Sequence, residues 1–221
     1  MGFRAVMFDL DGTLLDTLED LADSMNAVLL AAGFPLHELE AYKTFVGDGM
    51  VNLVRRAIPG CARNDGVIVA RCLARMREEY GRRQKVKTRP YEGIPELLDE
   101  LTTRRIRMAI LSNKPDAATR SIVSNLLPRW RFDVVFGERA GMPRKPDPST
   151  AREIAEVMGI PCEEFLYVGD TDTDMITATR ACMYPVGALW GFRKAEELLS
   201  SGARALIEKP QDLLSLLGEE R

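Results

Sequence analysis

The strongest constraint on this chain is its first apolar run. Residues 3–10 read FRAVMFDL and break at Asp11-Gly12-Thr13. A short, near-continuous apolar segment closed by a turn signal is the pattern of a strand covered on both faces, as strands in parallel sheets are. The pattern recurs along the sequence. Residues 106–111 run into Ser112-Asn113, 134–136 into Gly137, 165–168 into Gly169-Asp170 and 184–189 into Trp190-Gly191, and 205–207 form a last short segment. Helical patterns separate them. Residues 95–101 open on a proline, and Ala151, Ile154, Ala155 and Met158 share one helix face that stops at Gly159. This alternation predicts an α/β fold with a doubly wound, Rossmann-like parallel sheet.

Residues 16–87 interrupt the rhythm, with no convincing strand. Leu18, Leu21, Ala22, Met25, Val28, Leu29 and Ala32 form one helical stripe that Gly33 ends, and Val69, Cys72, Leu73, Met76 and Tyr80 form another. Residues 50–57 make a shorter helix between them. Asp16 and Glu19 have capping-box spacing at the first helix start. The expected division is therefore an α/β core of residues 1–15 and 88–221 with an inserted all-helical block of residues 16–87, hinged near 15–17 and 87–90. The basic run Arg82, Arg83, Lys85, Lys87 and Arg89 reads as a solvated helix end placed favourably on the helix dipole.

Composition narrows the function classes. Thirty basic residues against 33 acidic ones give a net charge of −3 and a pI of about 5.4, so no face is built to attract a nucleic acid. No apolar run approaches the ~20 residues of a membrane helix, and Asp9 and Asp11 break any signal-peptide reading, so a cytoplasmic protein with no membrane partner is expected. Cys61, Cys72, Cys162 and Cys182 include no C-x-x-C pair, and His37 is the one histidine. Zinc chemistry is thereby disfavoured; the thiols are expected to be reduced and mostly buried, and His37 to lie at the surface.

In open α/β sheets ligands bind beyond the carboxyl ends of the strands. Four such ends here carry polar residues: Asp9-Leu10-Asp11-Gly12-Thr13, Ser112-Asn113, Lys145 after the third strand, and Gly169-Asp170 through Asp174. Asp9 and Asp170 supply hard oxygen ligands of the kind Mg²⁺ takes together with a substrate phosphate. Ser112, Lys145 and backbone N–H groups would cradle phosphate oxygens. Asp9 beside Mg²⁺ and Lys145 has its ionised form favoured and can act as a nucleophile, while Asp11 can donate a proton to a leaving oxygen. Such a set makes a phosphomonoesterase.

These four segments, in this order, resemble the motifs of the haloacid dehalogenase superfamily. The helical block resembles that family's small cap domain. Ser112-Asn113-Lys114-Pro115, Arg144-Lys145-Pro146-Asp147-Pro148 and Val46-Gly47-Asp48-Gly49 resemble its phosphoglycolate phosphatase branch. The resemblance implies Asp9 as nucleophile and metal ligand, and Asp11 as acid/base and carbonyl ligand. Thr13, Ser112 and Asn113 would bind substrate, Lys145 would steady Asp9 and the phosphoryl group, and Asp170 would be the second carboxylate ligand. Asp174 joins the metal set, in its outer shell, and Asp172 reads as a turn residue. Gly47 and Gly49, before the helix that starts near Met50, are candidates for substrate selection together with Arg56 or Lys43.

The expected reaction is Mg²⁺-dependent hydrolysis of a small phosphate ester, 2-phosphoglycolate first, by a monomer or homodimer. A sugar-phosphate mutase or phosphatase and a pyrophosphatase fit the same motifs. A receiver-like phosphoacceptor would have little use for Asp11 or for the inserted block, and no G-x-G-x-x-G follows the first strand to suggest a dehydrogenase.

Overall fold

The computed structural model describes residues 2–218; Met1 and residues 219–221, the outer limits of the expected core, lie outside the described residues. The chain divides into two compact units, Met1–Leu15 with Pro90–Arg221, and Asp16–Arg89. In chain order, β1 (Ala5–Phe8) and β2 (Leu15–Asp16) lead into α1 (Leu18–Ala31), α2 (Leu39–Phe45), α3 (Met50–Ala57) and α4 (Gly66–Arg83). The chain returns through β3 (Arg89–Pro90) to α5 (Ile94–Thr103), β4 (Arg107–Pro115), α6 (Asp116–Leu126) and β5 (Val134–Glu138). There follow α7 (Ser149–Met158), β6 (Phe165–Gly169), α8 (Asp172–Arg180), β7 (Tyr184–Ala188), α9 (Ala195–Ser200), β8 (Ala205–Ile207) and α10 (Leu213–Leu216).

The first unit holds a six-stranded sheet in the order β5-β4-β1-β6-β7-β8, and its strand pairs are parallel. This is the doubly wound α/β sheet that the apolar runs predict. The continuous hydrophobicity of β1 follows from its two covered faces. Val6 and Phe8 join one core with Ile110, Val168 and the α5 residues Leu97, Leu98 and Leu101. Ala5 and Met7 join the other with Ala109, Tyr167 and the α7 residues Ala151, Ile154 and Met158. Side chains alternate across the sheet, so every β1 position meets a hydrophobic layer, at ~1.5–3 kcal/mol for each large side chain removed from water.

Register places the chemistry. Phe8 stands opposite Ile110 on β4 and Val168 on β6. The residues that follow, Asp9, Leu111-Ser112 and Gly169-Asp170, therefore emerge together at one edge. The strand order also reverses at β1, whose neighbours β4 and β6 lead to opposite halves of the sheet, and this switch point opens a crevice.

The second unit contains α1 to α4. Leu21, Ala22, Met25, Val28 and Leu29 of α1 and Val69, Cys72, Met76 and Tyr80 of α4 are buried, on the stripes read from sequence. Asp65 caps α4 by accepting from the N–H groups of Val67 at 2.8 Å and Ile68 at 3.1 Å. The capping box expected from Asp16 and Glu19 does not form. Thr17 is the N-cap without a side-chain bond, and Asp16 Oδ1 reaches only the Leu18 N–H, at 3.4 Å.

The return segment is tied down within this unit. Buried Asp20 accepts from the Lys87 N–H, the Thr88 N–H at 2.9 Å and the Thr88 hydroxyl at 2.7 Å. Lys87 also pairs with Glu19 at 3.1 Å and Asp23 at 2.8 Å. Residues 87 and 88 are thus held by α1, and the division between the units falls after Arg89. Much of the basic run is paired rather than merely solvated, since Arg82 and Arg83 both meet Glu79.

Two further expectations change. His37 is half-buried, its Nε2 within 2.7 Å of the Ala57 carbonyl and its ring edge-on to Tyr42 and Phe45. Of the four free thiols only Cys72 is fully buried; Cys61 and Cys182 are exposed. No helix among the described residues is long and apolar enough to cross a membrane.

Candidate active site

The site belongs to the α/β unit and is organised by Lys145. Its buried ammonium donates to Asp9 Oδ1 at 2.7 Å, Asp174 Oδ1 at 2.7 Å and the Leu111 carbonyl at 3.1 Å. Burial pulls this ammonium toward deprotonation, but Asp174 and Asp9 more than offset it and hold its pKa well above the ordinary lysine value. Lys145 comes from a loop, and Asn113 fixes the backbone there. The Asn113 amide donates to the Lys145 carbonyl at 3.1 Å, and its oxygen accepts the Lys145 N–H at 3.0 Å. Asn113, expected to bind substrate, thus also fixes the backbone of Lys145.

Asp9 continues β1 and is anchored by its N–H to the Val168 carbonyl at 2.9 Å. Burial and the neighbouring Asp174 push its pKa from 3.8 to about 7, against the pull of Lys145. Asp170, fully buried, is driven well above the ordinary carboxylate value by burial first and then by Asp9 and Asp174. Its Oδ1 accepts the Thr13 hydroxyl at 2.9 Å and its Oδ2 the Phe192 N–H at 2.9 Å. The Thr13 hydroxyl, expected to face a phosphoryl group, is therefore directed at Asp170.

The turn after β1 makes this approach possible. Leu14 and Leu15 both donate backbone N–H groups to the Leu10 carbonyl, at 3.0 and 2.9 Å. Gly12 sits at φ +93°, and a Cβ there would lie 2.3 Å from Asp170 Oδ2. Only glycine meets both the left-handed backbone and the close approach. At Gly191 the close approach alone excludes a side chain: a Cβ there would lie 2.3 Å from the Asp170 Cβ.

Asp174 is the third residue of α8, where it forms a capping box with Thr171. Its Oδ2 accepts from the Thr171 N–H at 3.1 Å and hydroxyl at 2.6 Å, and its Oδ1 from Lys145 and, at 3.4 Å, the Tyr167 hydroxyl. Asp172, read from sequence as a turn residue, is the first residue of this helix.

One oxygen from each of Asp9, Asp170 and Asp174 lies within 4.8 Å of the others, a spacing a single cation can bridge. The donors are all carboxylate oxygens, as Mg²⁺ prefers. Asp174 nevertheless accepts four hydrogen bonds, about all its lone-pair sites, whereas the two that Asp170 accepts, from Thr13 and Phe192, leave it open positions.

Asp11 sits at the rim, half-buried. The Lys114 ammonium engages both of its oxygens, at 2.7 and 2.8 Å. Lys114 belongs to the segment Ser112-Asn113-Lys114-Pro115, and its position directly after Ser112-Asn113 at a strand end is the sequence signal for this contact. Phe192, which acts through its backbone N–H, and Trp190, whose indole N–H donates to the Thr13 carbonyl at 2.9 Å, were not among the expected site residues. Ser112 is buried, and its hydroxyl accepts the Lys114 N–H at 3.2 Å, which leaves its own proton to give.

Gly47 and Gly49 lie in the helical unit, both at positive φ, in the turn between α2 and α3. Gly49 is the N-cap residue of α3. The two bases proposed to work with them have partners inside that unit. Arg56 pairs with Asp48 and donates to the Phe45 carbonyl, and Lys43 pairs with Glu40 at 3.0 Å.

Comparison with known proteins identifies the family. The sequence profile of the haloacid dehalogenase-like hydrolases matches residues 6–188. A phosphoglycolate phosphatase of Rhodospirillum rubrum is 34% identical over 97% of this chain and 91% of its own length. One from Aquifex aeolicus is 29% identical, over 97% and 96%. A crystal structure from Lactobacillus delbrueckii subsp. bulgaricus, provisionally named phosphoglycolate phosphatase, superposes with a TM-score of 0.92. It is 31% identical and covers 99% of this chain and 100% of that one.

Proposed function

Because the chain belongs to the haloacid dehalogenase-like hydrolase family, we propose that it is a Mg²⁺-dependent phosphomonoesterase. Its substrate in this reading is a small phosphorylated metabolite, 2-phosphoglycolate first, and its intermediate an aspartyl-phosphate on Asp9. The observation that carries the reading is the placement of Asp9, held by a buried lysine between two further carboxylates at the switch point of a parallel sheet. The names of the relatives support the substrate.

Asp9, Asp170 and the Asp11 carbonyl would hold the metal. Asp174, with its lone pairs filled, would orient Lys145 from outside the coordination shell. Three carboxylates (Asp9, Asp170, Asp174) against the ammonium of Lys145 leave a formal charge of −2, which a divalent cation balances. Bound Mg²⁺ would supply charge neutralisation for the carboxylates and for the phosphate oxygens.

The residues divide the rest of the work. An Asp9 carboxylate oxygen attacks phosphorus while the ester P–O bond breaks, and Asp11 gives the leaving alkoxide its proton. Asp11, now a carboxylate, takes a proton from the water that attacks the same phosphorus. The Asp9–phosphorus bond breaks, and phosphate leaves. Lys145 and the Ser112 hydroxyl hold the phosphoryl oxygens. Gly47 and Gly49 would shape substrate choice.

The test is phosphate release from a panel containing phosphoglycolate, sugar phosphates and pyrophosphate, with and without Mg²⁺. Preference for phosphoglycolate and loss of release on chelation are expected, with hydroxylamine-labile phosphate on the wild type but not on Asp9→Asn. Release that persists in Asp9→Asn would overturn the reading.

A further inference from the structure

We propose that Lys114 is a positioning residue for Asp11, fixing the carboxylate that serves both half-reactions; this rests on the acid/base reading of Asp11 given above. The contact is two-pronged, at 2.7 and 2.8 Å, so it restrains rotation of the ionised carboxylate as well as its place; in the protonated form one oxygen keeps the Lys114 bond and the other carries the proton for the leaving oxygen. The lysine side chain is 3% exposed and the Asp11 side chain 21%, so the ammonium is the buried anchor and the carboxylate the part that meets solvent and substrate.

Lys114 is itself anchored. Its N–H donates to the Ser112 hydroxyl at 3.2 Å, and its carbonyl accepts the Thr119 hydroxyl of α6 at 3.1 Å. A Cβ on Gly137 of the adjoining strand β5 would come within 2.4 Å of that carbonyl, so Gly137 lets β5 pack closely against it. The end of β4 thus assigns successive residues to separate tasks. Ser112 is placed for the phosphoryl group, Asn113 holds the Lys145 backbone, and Lys114 reaches Asp11. Each lysine serves a different carboxylate, Lys145 the nucleophile and Lys114 the acid/base. Without Lys114, Asp11 would be a rim side chain with free rotamers, and misplacement by about 1 Å is enough to cost on the order of 10²-fold in rate.

The experiment is a kinetic series on Lys114→Met, Lys114→Arg, Asp11→Asn and the Asp11→Asn/Lys114→Met double variant, each checked for folding by circular dichroism. Steady-state turnover is measured on an alkyl phosphate, and rapid mixing with p-nitrophenyl phosphate reads the two half-reactions separately. Lys114→Met is expected to lose about 10–100-fold in kcat. With the aryl ester it should show a burst of nitrophenolate, because its good leaving group needs little acid while hydrolysis of the phospho-enzyme still needs the placed base. Lys114→Arg, which keeps a cation, should recover part of the rate and diminish the burst. In the Asp11→Asn background Lys114→Met should add little, since the group it positions is already disabled. Near-normal turnover by Lys114→Met, a loss without a burst, or a full multiplicative loss in the double variant would overturn the proposal while leaving Asp11 in its role. Near-normal turnover by Asp11→Asn itself would overturn the acid/base reading and this proposal with it.

Discussion

Removing the divalent cation and raising the pH should expose the cost of the carboxylate cluster. Asp9 has its pKa pushed from 3.8 to about 7, by burial first and then by Asp174, with Lys145 opposing. A carboxyl whose folded-state value exceeds its unfolded one binds more protons when folded. Stability therefore falls as pH rises through the window from 3.8 to about 7, and the penalty is complete above it. At about 1.4 kcal/mol per pH unit, the ionised group costs the metal-free fold on the order of 4 kcal/mol. That corresponds to roughly 8–16 °C in melting temperature for a chain of this size. Asp170 is shifted in the same direction, so the titration belongs to the cluster rather than to one residue. A bound cation requires deprotonated ligands, so binding must expel the protons. Calorimetric Mg²⁺ titrations at about pH 6 in buffers of different ionisation enthalpy should show proton release on metal binding, falling as the pH is raised. The rise in melting temperature caused by Mg²⁺ should grow across the same range, and Asp9→Asn should flatten it. A metal stabilisation independent of pH, with no proton release at about pH 6, would refute the argument.

Asp11→Asn, with similar size and its backbone carbonyl intact, should lose roughly 10²–10⁴ in turnover on an alkyl phosphate while retaining most Mg²⁺ affinity by calorimetry. Gly12→Ala would press a methyl group to 2.3 Å from Asp170 Oδ2 at φ +93°; a loss of about 1–3 kcal/mol in stability and weaker Mg²⁺ binding are expected from denaturant titration and calorimetry. Asp20→Ala strips the acceptor from the Lys87 and Thr88 N–H groups, and urea unfolding should show a loss of about 1–3 kcal/mol, with faster hydrogen exchange at those two amides.

The strands were legible because a strand covered on both faces has to be apolar throughout, and β1, β6 and β8 stand close to where their apolar runs lie. The strand-end residues were legible for the complementary reason, being polar where a core strand must stop. Helix α8 escaped because its buried face is built partly from Thr173 and Thr177, which leave only a weak apolar stripe. The Thr177 hydroxyl is satisfied locally by the Thr173 carbonyl at 2.7 Å, a bond that no periodicity reveals. The first turn of α1 misled in the opposite direction. Asp16 and Glu19 have the spacing of a cap, but the helix starts at Leu18, and Asp20 carries the buried hydrogen bonds.

The same distinction separates residue type from task within the site. Asp170 and Asp174 are the same side chain four residues apart, and both are fully buried. What divides them is the number of donors aimed at each. Thr171, Lys145 and Tyr167 donate four hydrogen bonds to Asp174, two to each oxygen, and one of these ties it to the lysine that holds Asp9. Asp170 receives one hydroxyl and one N–H and keeps lone pairs for a cation. The Thr13 hydroxyl and the Asn113 side chain are engaged inside the protein for a related reason. A hydroxyl or amide beside a phosphate site reads as a phosphate ligand, but buried carboxylates and an inserted lysine loop must be satisfied before any substrate arrives. The sequence shows which groups can bind, and the competition among donors and acceptors decides which of them remain available to do so.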